Sequence, residues 1–334
     1  MKKLFYKKEE PTFLVNEFQS HQNYTHLGVN NGNDFLRTFC ELILNLEIFP
    51  MTLEKFNQEI KSEGGEGTKK GKLGIRVDCC GTLSAALQNA LVYTQFGIKA
   101  TFFINHNSNY FKITKTGETT KIFMPRTAEE IIKRIAGLGH EIGLHNDVLY
   151  YISTGADPET IMGVTLKKLS QLSGKKIIGT SAHNSAWVYG YENFEVFQEF
   201  LFESSSLLSA PLNMTKFGLS YEANFPKKAE LSSNRNRHLL TDSYGSDPIR
   251  NKAFLNEYFL NHPHFERGYD YEAWLLGRDS WVFVDYLSGT LIYPETTINL
   301  THLLDRRREQ NGIVLIHPEY VSADVDEKAF TDIL

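Results

Sequence analysis

The sequence predicts an α/β protein in which repeating β/α units close, or nearly close, into a barrel of about seven or eight parallel strands, preceded by a helical extension. Three observations carry this. From residue 73 onward, short apolar runs alternate with amphipathic stretches that end in glycine. A length of 334 residues suits one large barrel or two ordinary domains. The glycine-rich phosphate fingerprint of a dinucleotide fold does not follow the first strand, which counts against a doubly wound open sheet, the structural rival.

The elements follow in order. Residues 73 to 80, LGIRVDCC, read as the first strand. Ser84 to Phe96 reads as a helix, with Leu87, Ala90, Leu91 and Thr94 at helical spacing and Gly97 as its stop. KATFFIN, 99 to 105, is the second strand. Thr127 to Glu130 reads as a capping box before a helix that Gly139 ends. HEIGLH, 140 to 145, is the third strand. Asp157-Pro158 supplies an N-cap and a proline at N1, and Gly174 closes that helix. KIIGTSAH, 176 to 183, is the fourth strand. A helix is expected from Asn193 to about Glu203, with short strands near 207–213, 238–242 and 281–287. Thr296 to Gln310 reads as helix and GIVLIHP, 312–318, as the last strand. Residues 1–72 hold two expected helices, near 33–46 and 52–62, split by Pro50, and a polar connection, SEGGEGTKKGK. The expected division is a helical extension over 1–72 packed on a barrel over 73–334.

Composition narrows the class. Hydrophobic residues make up 41% and charged residues 22%, with a net charge of −5. That is a globular chain without the basic excess of a nucleic-acid binder. The start, MKKLFYKKEEPTF, has lysines but no apolar run behind them, so neither signal peptide nor anchor is expected. No stretch approaches the roughly 20 apolar residues of a membrane helix. Three cysteines, Cys40, Cys79 and Cys80, are too few for a disulfide framework, and neighbours in sequence bridge only with strain. These features fit a cytoplasmic, reducing environment. No pattern indicates an oligomeric state.

Chemistry concentrates at the strand C-terminal ends. The first gives Asp78 and Cys80, the second Asn105 and His106, the third His145, Asn146 and Asp147, the fourth His183 and Asn184. A later strand gives Asp242 and Ser243, and the last gives His317. In a β/α barrel these ends converge on one face, where sites are built. Side chains alternate along a strand, so Asp78 and Cys80 share a face while Cys79 points into the packing. By the same rule His140 and His145 face opposite ways and cannot ligate one ion.

These motifs resemble the NodB-type polysaccharide deacetylase superfamily, in the branch whose first motif reads R-H-D-V-D. Arg76-Val-Asp78-Cys-Cys80 occupies that motif, and the second motif, G-H-E-I-G-x-H, stands intact as Gly139 to His145. FGIKATFF at 96–103, SAHNS around His183, Leu240 to Ser243 and IVLIHPEY at 313–320 resemble further family segments. The resemblance covers about residues 40 to 320. It implies a distorted β/α barrel that removes an N- or O-acetyl group from a sugar or glycan precursor. It also implies a divalent metal, usually Zn2+, held by one carboxylate and two histidines. Position by position it implies Asp78 as general base, Cys80 in the metal-carboxylate place, His145 and His183 as metal ligands, and His317 as general acid. Asp242 would orient His317 or cap a turn.

The sequence departs from that pattern at three places. Position 80 is cysteine, Leu149 stands where a second histidine of H-x-x-x-H would fall, and Val77 replaces the histidine of R-H-D. A Cys/His/His set still suits tetrahedral zinc with one open position. Asp78 is the alternative third ligand. Two other functions stay open: a catalytically inactive barrel that binds carbohydrate or scaffolds a glycan-assembly complex, and a thiol enzyme using Cys80 activated by His145 or His183.

Overall fold

The structure is a computed structural model and describes residues 32–62, 71–116, 119–183, 193–200, 211–223, 281–284 and 312–318. The chain opens with α1 (Gly32–Asn45), β1 (Phe49–Met51) and α2 (Leu53–Ser62). Then come β2 (Lys72–Cys79), α3 (Leu83–Gln95), β3 (Thr101–Asn105), a hairpin of β4 (Lys112–Thr116) and β5 (Thr119–Phe123), and α4 (Arg126–Gly137). β6 (Glu141–Asn146), the short α5 (Val148–Ser153), α6 (Pro158–Ser173) and β7 (Gly179–Ala182) follow. Beyond them lie α7 (Met214–Phe217), β8 (Tyr221–Glu222), β9 (Trp281–Val284) and β10 (Gly312–Ile316).

One parallel sheet runs in the order β8-β7-β6-β3-β2-β10-β9. β1 also pairs parallel with β2, over Lys72 to Gly74. β10 occupies the other side of the same residues, so β1 lies on the β3 side, ahead of the point where β3 begins pairing at Arg76. In a flat sheet, the ends of β2 and β7, three strand steps apart, would be separated by about 14 Å. Yet the donor atoms of Cys80 and His183 lie within 4.8 Å of each other. The sheet is therefore curled, a partial barrel with helices on its outer face. Among the described residues no ladder joins β8 to β9.

Strand alternation divides the core in two. Outward-facing Ile75, Val77, Cys79, Phe102, Ile104, Ile142 and Leu144 pack against the helices, joined by Leu36, Phe39, Cys40 and Ile43 of α1. Inward-facing Phe103, Tyr221 and Ile313 pack with Leu53 and Phe56 of α2, which plug the end of the sheet opposite the site. Glycine makes this inner layer fit. A Cβ on Gly143 would meet the Phe103 ring at 2.4 Å, and one on Gly179 would meet Tyr221 at 2.1 Å. Above this plug a polar layer begins: half-buried Glu141 accepts hydrogen bonds from Thr101 Oγ1, Tyr221 OH and the Glu54 backbone.

The helix signals mostly act as read. Asp157 caps α6 by accepting from the Thr160 N–H, with Pro158 at N1 and Gly174 left-handed at φ 69°. Gly97 and Gly139 also take positive φ, at 69° and 87°, just past their helices. The Thr127–Glu130 capping box does not form. Pro125, at φ −58° and ψ 145°, takes the N-cap place two residues earlier, and its carbonyl accepts the Glu129 N–H. Thr127 is thus inside the helix and no side chain caps it. The helix expected from Asn193 is instead two 3-10 turns, Asn193–Val196 and Gln198–Phe200, interrupted where Phe197 bridges to Leu212. That bridge is what the described part of the strand expected near 207–213 amounts to. Pro50 does not simply break two helices; it sits in β1. The hairpin and α5 are additions to the sequence reading. The strand expected at 238–242, the helix at 296–310 and most of the 62–72 connection fall outside the described residues.

Candidate functional site

The site stands at the C-terminal ends of β2, β6, β7 and β10. Asp78, next to last in β2, is buried, as is Arg76 two positions earlier on the same face. Arg76 donates from Nε to Asp78 Oδ1 at 2.9 Å and from its terminal nitrogen to Oδ2 at 2.6 Å. The guanidinium also lies 5.9 Å from the Phe103 ring centroid. Burial alone would raise the Asp78 pKa, but Arg76, with His145 and His317, outweighs it and lowers it to about 2.

Cys80 follows, on the Asp78 face. Its sulfur, the His145 ring and the His183 ring each offer a ligand atom, and the three atoms lie within 4.8 Å of one another. The two rings meet edge to face, centroids 5.0 Å apart. His145 Nδ1 faces the Ser181 carbonyl at 3.0 Å. A carbonyl only accepts, so Nδ1 carries a proton, and the other nitrogen, Nε2, lies 3.6 Å from Asp78 Oδ2. This is the outer support that a ligating imidazole needs. Burial would push the Cys80 thiol up; the imidazoles of His145, His183 and His317 outweigh it and hold it well below its ordinary value. The thiol is thereby favoured as thiolate, the form that binds metal.

His183 sits at the cleft edge, its side chain 34% exposed. Its backbone N–H donates to the Asn146 carbonyl at 2.8 Å, and its own carbonyl accepts from Asn193 Nδ2 at 2.8 Å. Nδ1 lies 3.4 Å from Asp147 Oδ2, an ion-pair contact rather than an aligned hydrogen bond. Burial works against a charged imidazole there, but Asp147 and Cys80 prevail and raise the His183 pKa well above its usual value. Asp147 is fixed in turn by Asn107 Nδ2 at 2.7 Å and Asn193 Nδ2 at 3.1 Å. Its pKa is lowered to about 2, burial opposing and His183 and Asn107 prevailing.

The donor set fits a zinc ion. Thiolate and two imidazoles match the ion's preferred ligands and leave a fourth tetrahedral position. Both histidines have outer partners at Nδ1, which leaves Nε2 for the cluster.

His317 directly follows β10, is buried, and contributes to the electrostatics of both Asp78 and Cys80. Four expected positions thus gather around Cys80: Asp78, His145, His183 and His317. Asp242 and Asn184 lie outside the described residues. His106 and His140 turn away. His106 Nε2 accepts the Asp147 N–H at 2.7 Å, so its other nitrogen donates to Thr165 Oγ1 at 3.1 Å. His140 donates to the Ala90 carbonyl at 2.9 Å and accepts from the Ala100 N–H at 3.2 Å. Cys79 is fully buried in the outer core, and Leu149 is buried in α5. Asn107 and Asn193, which pin Asp147, carry no role in the sequence pattern, and Asp147 has only its place at a strand end. Their only sequence signal is the run His145-Asn146-Asp147, since their partners are far apart in the chain.

No protein-family model matches the chain, and no curated protein matches it. Among solved structures, a Streptococcus pyogenes deacetylase, PplD, in complex with acetate aligns with a TM-score of 0.31 and 12% identity, over 44% of this chain and 61% of that chain. The chain thus spans about three-fifths of that structure's length. At these values the likeness assigns neither fold nor activity. Among the described residues no helix is long and apolar enough to cross a membrane.

Proposed function

We propose that this chain is a metal-dependent carbohydrate deacetylase that removes an N- or O-acetyl group from a sugar or glycan precursor during polysaccharide biosynthesis in the cytoplasm. Its frame in this reading is a distorted β/α barrel of about seven or eight strands over 73–334, with 1–72 as an extension packed on it. The observation that carries the reading is the convergence of Cys80, His145 and His183 ligand atoms within 4.8 Å at the ends of different strands. Thiolate among the ligands selects zinc over harder cations.

Cys80, His145 and His183 would hold a zinc ion, whose Lewis acidity would polarise the acyl carbonyl and acidify water. The chain's own residues do the rest. Ser181 and Asp147 hold the two imidazoles in orientation. Asp78, ionised at neutral pH and aimed by Arg76, accepts the proton of the attacking water. His317, on the far side of Cys80 from His183 in strand order, delivers a proton to the departing amine or alcohol.

One observation favours a second reading, a barrel that binds carbohydrate without turnover. Asp78 is already committed to Arg76, and a carboxylate held near 2 is a weak base. A single experiment separates the two. Purified protein is assayed for zinc by elemental analysis and for acetate release from acetylated sugars, beside Cys80→Ala, His145→Ala and Asp78→Asn. The deacetylase reading expects about one zinc per chain, lost in the first two variants, and acetate release that Asp78→Asn abolishes. Zinc without acetate release above the Asp78→Asn control moves the conclusion to the binding barrel. No zinc, even when offered, removes the hydrolase reading.

A further inference from the structure

A cleft of about 360 Å³ opens beside the Cys80–His183 edge of the cluster, walled by the loop after β3, the β4–β5 hairpin and α5. Its size is at the lower end for small-molecule sites, which suits one substituted sugar ring rather than an oligosaccharide. Three features of the lining bear on what enters. Asn107 and Asn109 bring amide groups to one wall. Tyr150 on α5 offers a ring that is 40% exposed, packed edge-on to Tyr151 at 5.2 Å. Tyr151 is itself fixed, donating to the His106 carbonyl at 2.5 Å and accepting the Ile113 N–H at 3.2 Å. Tyr150 is thus a braced aromatic face of the kind on which a sugar ring stacks. The third feature is charge. In a chain of net charge −5, the described lining contains no aspartate or glutamate, and it contains Lys112, exposed on β4.

We infer that this cleft takes an acetylated monosaccharide unit bearing an anionic substituent, a carboxylate or a phosphate, with Lys112 as the anion's partner and Tyr150 as the platform for the ring. The inference rests on the deacetylase reading only in that the acetyl group is directed toward the Cys80–His183 edge. A metal held by the cluster would add positive charge to that edge and reinforce the preference. A described lining free of carboxylates avoids the like-charge contact that elsewhere on an acidic protein would repel such a ligand.

The test is calorimetric binding to the full, zinc-loaded chain of three sugars: neutral N-acetylglucosamine, N-acetylmuramic acid for the carboxylate, and N-acetylglucosamine 6-phosphate for the phosphate. At least one anionic sugar should bind about tenfold more tightly than the neutral one, in keeping with a charge-assisted hydrogen bond; which one does so identifies the anion. Lys112→Gln should bring the affinities level, and Lys112→Glu should reverse their order. Equal affinities in the native chain, a preference that survives Lys112→Gln, or no binding of any sugar would overturn the inference. Acetate release, read on the same samples, keeps the two readings apart. A Lys112-dependent preference without release leaves this inference standing and removes the hydrolase; release without such a preference does the reverse.

Discussion

Arg76 and Asp78, two positions apart on one face of β2, form a two-point ion pair that is almost wholly buried, 2% and 1% exposed, with contacts of 2.9 and 2.6 Å. Removing one partner leaves the other charge buried without its two-point contact. Arg76→Met should therefore destabilise the chain by about 3–5 kcal/mol, read as the urea unfolding midpoint. Asp78→Asn should cost a similar amount. Arg76→Met with Asp78→Asn together should recover much of the loss, because neither charge is then left alone. Additive losses in the double variant would mean that the pair is not the coupled unit described.

In the proposed metal centre Cys80 would set which ion the cluster prefers. Thiolate is the soft member of the set, and replacing it with a carboxylate should relax selectivity toward harder cations. Cys80→Asp should bind manganese or cobalt more nearly as well as zinc, measured by competition between ions at equilibrium. If native and Cys80→Asp chains rank the ions identically, the sulfur is not a ligand.

The sequence exposes local relationships and hides distant ones. Period-two alternation on β2 and β6 is enough to set Cys79 against Cys80 and His140 against His145, and the structure has each on the expected side. Gly97, Gly139 and Gly174 are legible because a positive φ after a helix is a backbone demand that glycine meets. The β4–β5 hairpin is not: both strands are polar, β5 has no buried face, and nothing in KITKT or TTKIF alternates strongly. β1 is three residues with a proline at its centre, and α5 is six residues, each too short for a periodic signal. The supports of His183 are invisible for a different reason. Asn107, Asp147 and Asn193 meet only after the sheet has curled, across 40 and 46 residues of chain.

His106 and His140 make the fold sensitive to acid. Burial holds their pKa down, to about 3 for His106 and about 4 for His140. In each case the unfolded chain binds the proton that the folded chain refuses, below the ordinary value of 6.5. Their contribution is complete above pH 6.5 and is lost as pH falls through the window toward 3 to 4. From His106 alone the loss between pH 6.5 and pH 5 should be about 2 kcal/mol. Over that interval Asp78 and Asp147 stay ionised in both folded and unfolded chains, so they add little. Urea unfolding of native and His106→Gln chains at the two pH values isolates the effect. The variant is less stable throughout but should lose about 2 kcal/mol less on acidification. Parallel losses in both chains would show that His106 is not held neutral.

Asp147 should act on metal affinity through His183. Its carboxylate is pinned by Asn107 and Asn193 and stands 3.4 Å from His183 Nδ1, so it fixes the ring that meets Cys80 and His145 in the cluster. Outer partners of ligating histidines typically contribute 10–100-fold in affinity. Asp147→Ala should weaken zinc binding by about that factor, measured by competition with a chelator of known affinity, while His145 and Cys80 remain in place. Asn193→Ala should have a smaller effect in the same direction, because it removes one of two amides holding the carboxylate and one contact to the His183 carbonyl. The order of effects is the diagnostic part. A purely structural role for Asp147 would lower the unfolding midpoint of the metal-free chain and leave the affinity of the folded fraction unchanged. A loss of affinity at an unchanged metal-free midpoint assigns Asp147 to the support of the metal centre.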